Sequence, residues 1–494
     1  MRYAWLLGVL MLAGCAGSRP PSAIPSSDTA LQAALTRHIS VLASDEFGGR
    51  EPGTEGEAKT LRYLAREWQA AGLVSGTNDP ANPWFAPVEI ASSTPERSTL
   101  RFSRNGRAVA LPSDEAVIFA SGTRGLIERA PVVFVGEQGA QLDTAALAGR
   151  VVLMGWGHPG RTEQREALLR GGAAAVIAIV DTREEFDRIV GQRRDGSYRL
   201  AATDAADTID GYITRGAAAS LIGADRFDAL MRGMGDAQFR PATLDLLATL
   251  EAVSTQGRVR TFNLVAKLPG RRADAGAVVL LAHWDHFGRC GSPTDPAAIC
   301  NGAVDNASGL AVVTELARRL AVGPRLQRDV YFVATTAEEW GLLGAQAFAE
   351  NPPIPLDTIV AAFNLDTIAV APRGTPVAIV GKGMTGLDPG IQQVLKEAGR
   401  RESDETLAQG YLRRQDGWAL LQRDVPTVSV TSAFGSAEAL KLYETERYHS
   451  PADKAEGIEL GGAIEDLYLT EALVRYFADP ARWTATSGKS VTAP

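Results

Sequence analysis

A chain of 494 residues has room for about three domains of ordinary size and for a large core. An apolar fraction of 45% and a charged fraction of 22% are those of an ordinary globular protein, not of a low-complexity chain. The net charge of −8, with both signs spread along the chain and no basic stripe, argues against nucleic acid as the main partner.

The chain starts with a cationic residue, Arg2, and an apolar run over 4–12 that is too short to span a bilayer. Leu12-Ala13-Gly14-Cys15 resembles the lipobox of bacterial lipoproteins. That implies a signal peptide over 1–14 and a lipid on Cys15, anchoring the protein to a membrane in the periplasm or at the outer membrane. A plain secretory signal cut elsewhere is the competing reading. Ser- and Pro-rich residues make 15–30 a flexible tether. No later stretch approaches the roughly 20 apolar residues of a membrane helix.

Helical apolar spacing covers 31–42, and a glycine-rich loop, Asp45 to Thr54, follows. A second amphipathic helix is predicted over 56–71, stopping near Gly72. A strand over 84–90 leads out of this module. From residue 92 the character changes to short β-like runs, at 99–102, 116–119, 131–135 and 150–154, with a helix over 162–170. His158, in a Gly-Pro loop, reads as a surface residue. Gly171 to Val180 resembles the protease-associated domain, a small lid-like module inserted in some exopeptidases; a generic α/β insertion competes with it. The predicted division is 31–91 and 259–480 for one domain, 92–258 for the insertion and 481–494 for a disordered tail.

From 261 the chain alternates strand and helix. Strands are predicted at 261–266, 277–281, 330–334, 359–363, 377–380 and 427–430, and helices at 309–320, 341–349, 386–398 and 462–477. The alternation implies an α/β fold with a mostly parallel mixed sheet flanked by helices. Cys290 and Cys300 share one loop of an exported chain, which favours a disulfide. No further Cys or His pair completes a cysteine-rich metal site around them.

Chemistry-bearing residues recur where these strands end. Ala282-His283-Trp284-Asp285 ends the first, and an imidazole with an acid two residues on suits a metal ligand and its support. Asp305-Asn306-Ala307-Ser308-Gly309 precedes a helix, where Asp305 or Asn306 would serve equally as a cap. Ala337-Glu338-Glu339-Trp340-Gly341 follows a strand, and its acids would also suit a helix start. Asn364-Leu365-Asp366 and Tyr448-His449-Ser450-Pro451-Ala452-Asp453 complete the series. Each is ordinary alone. Together, three carboxylates, two neutral imidazoles and one hydroxide balance a pair of divalent cations. Such N and O ligands suit zinc, with manganese or cobalt possible in the same site. A two-metal site activates water and polarises a carbonyl, as amide hydrolysis requires, with one further acid to move protons.

In order and spacing, these five stretches resemble the di-zinc exopeptidases of the bacterial leucyl aminopeptidase type, metallopeptidase family twenty-eight. Gly49-Arg50-Glu51-Pro52-Gly53-Thr54 resembles that family's N-terminal segment. The resemblance implies the zinc aminopeptidase fold with an inserted protease-associated domain, and two zinc ions per chain. Asp305 would bridge the metals, His283 and Asp366 would complete one, and Glu339 and His449 the other. Glu338 would be the general base and then the acid, and Asp285 would orient His283. Asp305-Asn306 is implied to be a cis peptide. His286 is not a family ligand and reads as a loop residue or one that supports the ligands from behind. Asp416 occupies an acidic position of the family, although Gln415 departs from the usual Ser-Asp pair. The implied activity is hydrolysis of N-terminal peptide bonds of short peptides by a metal-bridging hydroxide. Carboxypeptidases and glutaminyl cyclases share the fold. Arg289 and Arg447 are the basic residues that a carboxypeptidase would use, and Thr367, Ile368 and Tyr443 are candidates for the pocket. Transferrin-receptor-like proteins keep the fold as metal-free binding proteins, against which the complete ligand set argues.

Overall fold

Apolar runs that do not alternate need a covered face on each side, and helices from both ends of the chain supply the covers. The computed structural model describes residues 27–484 except 113, 138–146, 159, 195, 203–207, 237, 292–294, 296 and 405. The signal peptide, Cys15 and most of the tether lie outside the described residues, as does the tail beyond 484. Among the described residues, no helix is long and apolar enough to cross a membrane.

Four parallel strands form the centre of the main sheet, in the order Asp329–Thr335, Ala277–His283, Ile359–Asn364, Thr427–Thr431. Every residue of all four is buried. Ala378–Val380 and the end of Ala242–Leu268 flank them antiparallel. Side chains of Ala277–His283 divide between two cores. Val278, Leu280 and Ala282 meet the helices Asp28–Leu42, Glu55–Ala70, Gly309–Val322 and Gly461–Phe477. Ala277, Val279 and Leu281 meet the helices Leu343–Glu350 and Gly417–Leu421 on the other face. In Asp28–Leu42 the buried positions Leu31, Leu35, Ile39 and Leu42 recur at helical spacing, and Ser27 caps the start by accepting from the Ala30 N–H.

The predicted strands at 84–90 and 99–102 are one strand, Phe85–Arg104, paired along its length with Ala242–Leu268. Ser92 to Pro95 had read as a break. Instead, the register of this ribbon shifts at Val253/Ser254, opposite Pro95 and Arg97. A bulge there tolerates a proline that has no N–H for the ladder. The two expected borders, after 91 and after 258, therefore fall inside a continuous two-stranded ribbon. Beyond it, the parallel strands Arg124–Val135, Val151–Gly155, Ala175–Val180 and Ile209–Thr214 carry cores of their own. His158 lies in this module and is buried, not at the surface.

Candidate metal centre

Three of the five proposed ligands stand at the carboxyl ends of the parallel strands or in the turns that follow. This is where an open α/β sheet presents polar groups. His283 is the last residue of its strand, Glu339 follows Asp329–Thr335, and Asp366 follows Ile359–Asn364. Asp305 sits in the tight turn Ala303–Ser308 ahead of the helix Gly309–Val322, and its bond to Asn306 is cis. Backbone N–H groups of Val304 and Asp305 donate to the Asp453 carboxylate at 3.1 Å. Asn306 ties this turn to the next loop, donating to the Leu365 carbonyl at 3.0 Å and accepting from the Thr367 N–H at 3.3 Å. Gly302 is required nearby, because a Cβ there would stand 2.2 Å from the Asp305 carbonyl oxygen.

The two oxygens of Asp305 face different partners. Oδ1 lies 3.1 Å from His283 Nε2, which also stands 3.4 Å from Asp366 Oδ1. Oδ2 lies 3.2 Å from His449 Nε2, itself 3.2 Å from Glu339 Oε2. All five side chains thus converge as two groups that share one carboxylate. His283 donates from Nδ1 to the Asp285 carbonyl at 3.2 Å, which turns the Nε2 lone pair toward the acids. That Nε2 is buried and makes no hydrogen bond despite two nearby carboxylates. His283 Nε2 and the carboxylate oxygens of Asp305 and Asp366 all lie within 4.8 Å of one another, close enough to hold one cation between them.

Electrostatics point the same way. Burial alone would lower His283, yet Glu338, Asp366 and Asp305 hold it well above the usual imidazole range. Burial likewise opposes His449, which Asp305 and Glu339 raise to about 9. The acids therefore favour positive charge at both imidazole nitrogens, which a divalent cation held there would supply in place of the protons. Burial, with Glu339, Asp366 and Asp416 nearby, holds Glu338 well above the usual carboxylate range.

The Asp285 carboxylate stands 3.8 Å from His283 Nδ1 and instead accepts from the N–H groups of Glu338 at 3.1 Å and Glu339 at 3.3 Å. It fixes the turn that carries both glutamates. His286 contacts Glu339 Oε1 through Nδ1 at 2.6 Å, leaving Oε2 to face Asp305 and His449. This contact, with a turn 53 residues away, fits the reading of His286 as a residue that supports the ligands from behind. Asp416 accepts from the Thr335 hydroxyl, and burial raises it to about 7.

A cavity opens beside these groups, lined by Glu338, Asp366, Tyr411, Arg414, Tyr443 and Tyr448 among others. Thr367 also lines it, whereas Ile368 is buried in the core behind. Neither Arg289 nor Arg447 is among the lining residues. Arg289 donates to the Ala297 carbonyl, and Arg447 to that of Lys454. Arg414 is the cavity's cation, donating to the Tyr448 hydroxyl at 3.2 Å beside the Tyr411 ring. It sits in the short helix Leu407–Arg414.

Residues 263–467 match the model of peptidase family M28. The chain is 25% identical over 402 residues to the protein named "Probable lipoprotein aminopeptidase LpqL" of Mycobacterium tuberculosis, covering 75% of this chain and 68% of that one. A "Probable zinc metalloprotease" of Pyrenophora tritici-repentis is 36% identical over 110 residues, 22% of this chain and 25% of its own length. The solved aminopeptidase from Aneurinibacillus sp. strain AM-1 superposes with a TM-score of 0.57 at 18% identity, covering 94% of this chain and 96% of the other. That likeness extends across both the catalytic sheet and the inserted module, and it shows the fold. With the two-part cluster of His283, Asp305, Glu339, Asp366 and His449, the matched region identifies the chain as the bearer of a peptidase family M28 domain.

Proposed function

We propose that the protein is a di-zinc aminopeptidase that removes N-terminal residues from short peptides. The observation that carries this reading is the division of Asp305, one oxygen toward His283 and Asp366, the other toward His449 and Glu339. Those five residues would hold the two ions, and Asp305 would bridge them. Bound zinc would supply Lewis acidity, polarising the scissile carbonyl and making water more acidic. Glu338 lies on the cavity wall and belongs to neither ligand group. It takes a proton from the attacking water and returns it to the departing amine, a role helped by its raised affinity for protons. Asp285 keeps that carboxylate in place through the backbone of its turn. Acids lining the cavity, Glu338, Asp366 and Glu444, favour a substrate that brings a free ammonium group.

Arg414 favours a second reading, because a guanidinium in the cavity suits the terminal carboxylate of a carboxypeptidase substrate. Blocked peptides decide between them. The zinc-loaded protein is expected to cleave aminoacyl-nitroanilides, to lose that activity with chelator and to ignore N-acetylated peptides. Cleavage of N-acetylated but not C-terminally amidated peptides would support the second reading. The module built from 92–258 fits a protease-associated domain, supported by its place within the chain and its own parallel strands. Export with a lipid on Cys15 is supported by the Leu12 to Cys15 motif and by the lipoprotein name of the mycobacterial relative.

A further inference from the structure

Trp340 directly follows the two glutamates of the centre, and its indole does not end in the catalytic sheet. It stacks on Tyr198, with ring centroids 3.9 Å apart and planes 6° from parallel. Tyr198 belongs to Ser197–Leu200, a strand of the inserted module that pairs with the long ribbon at Ser92. Beneath the stack, Val88, Ile90, Leu200, Ala337 and Leu343 form a small closed core, joining ribbon, module and catalytic turn.

The turn needs such a hold. Ala337 has φ 51° and Leu342 φ 60°, both in the left-handed region that side chains other than glycine avoid. Residues in such conformations persist only where their surroundings over-determine them. On the inner side, Asn263 accepts from the Thr336 N–H at 2.9 Å, and Asp285 accepts from Glu338 and Glu339. On the outer side, the Trp340 indole stacks on the Tyr198 ring. Parallel aromatic pairs add stabilisation beyond the area they bury, and they fix orientation.

We infer that Tyr198 is a positioning residue for the reaction: from the inserted module, it clamps Trp340 and so holds Glu338 and Glu339 in working register. This rests on the reading of Glu338 as the base. The module would then act on catalysis through the turn, not only by covering the cavity.

The test compares Tyr198→Ala and Tyr198→Phe in the full-length, zinc-loaded protein. Tyr198→Ala is expected to lower kcat on an aminoacyl-nitroanilide on the order of tenfold. KM and zinc content should change little. Tyr198→Phe keeps the ring and should restore wild-type kcat. Amide hydrogen exchange across 336–343 should quicken in Tyr198→Ala and not in Tyr198→Phe. An active wild type whose Tyr198→Ala variant keeps full kcat and unchanged exchange would overturn the inference, as would equal loss in both variants. A zinc-loaded wild type that cleaves nothing would refute the peptidase reading instead, and the exchange measurement would still judge the clamp.

Discussion

Arg50 is fully buried, and among the described residues it has no carboxylate bonded to it. Its guanidinium donates instead to four backbone carbonyls: Trp284 at 2.8 Å, Leu42 at 2.9 Å, Asn301 at 2.5 Å and Gly302 at 2.9 Å. Burial lowers it to about 10, while Asp305, Asp285, Asp453 and Glu339 pull it back upward. One side chain thus braces the N-terminal loop against both the strand end that bears His283 and the turn that bears Asp305. Arg50→Lys keeps the charge but loses the planar fork, so it is expected to cost roughly 2–4 kcal/mol in urea unfolding. The motif around Arg50 was visible as a family resemblance, but its burial was not, because arginine is among the residues least often buried. The same holds for Asp285: an acid two residues after a ligand histidine reads as support for the ring, while its carboxylate in fact serves a turn distant in sequence. Glu338→Gln is expected to lower kcat by about 10²- to 10⁴-fold with zinc content unchanged. Loss of zinc in that variant would mean that Glu338 is a ligand.

At the scale of elements, the strands were legible because their short apolar runs are continuous, and the long helices because their apolar residues recur every three to four positions. Ribbon and rim were not. Phe85–Arg104 passes through Ser92, Ser93, Thr94 and Pro95, residues that mark turns in most contexts and here mark a bulge. Gly417–Leu421 is too short for helical periodicity, and Ala437–Glu446 buries only Leu440 and Tyr443. Asp466 shows what the final helix, Gly461–Phe477, contributes. Its carboxylate accepts from the Thr431 hydroxyl at 2.8 Å and the Ser432 N–H at 2.7 Å, tying the helix to the strand Thr427–Thr431. Burial raises it from 3.8 to about 6, against the pull of those hydrogen bonds. The native state therefore holds a proton that the unfolded chain has lost between those pH values, and stability falls as pH rises through that window. The effect is roughly 3 kcal/mol. Asp466→Asn should lack this slope, so unfolding free energies at pH 4 and pH 7 should show the variant gaining on the wild type as pH rises.

At the scale of the molecule, the ribbon of Phe85–Arg104 and Ala242–Leu268 makes sheet and module one hydrogen-bonded structure. The sheet delivers ligands from strands far apart in sequence to one edge, and the ribbon brings Tyr198 to the same edge. Sequence spacing puts three of the proposed ligands, His283, Glu339 and Asp366, at or just beyond the end of an apolar strand. It could not locate the cavity, whose aromatic wall comes from short helices and loops. Zinc content by mass spectrometry, in the wild type and in His283→Ala and His449→Ala, tests the shared-carboxylate centre most directly. Two ions per chain in the wild type, with one affinity class weakened in each variant, is the expected result. A single ion per chain, unaffected by either substitution, would contradict it.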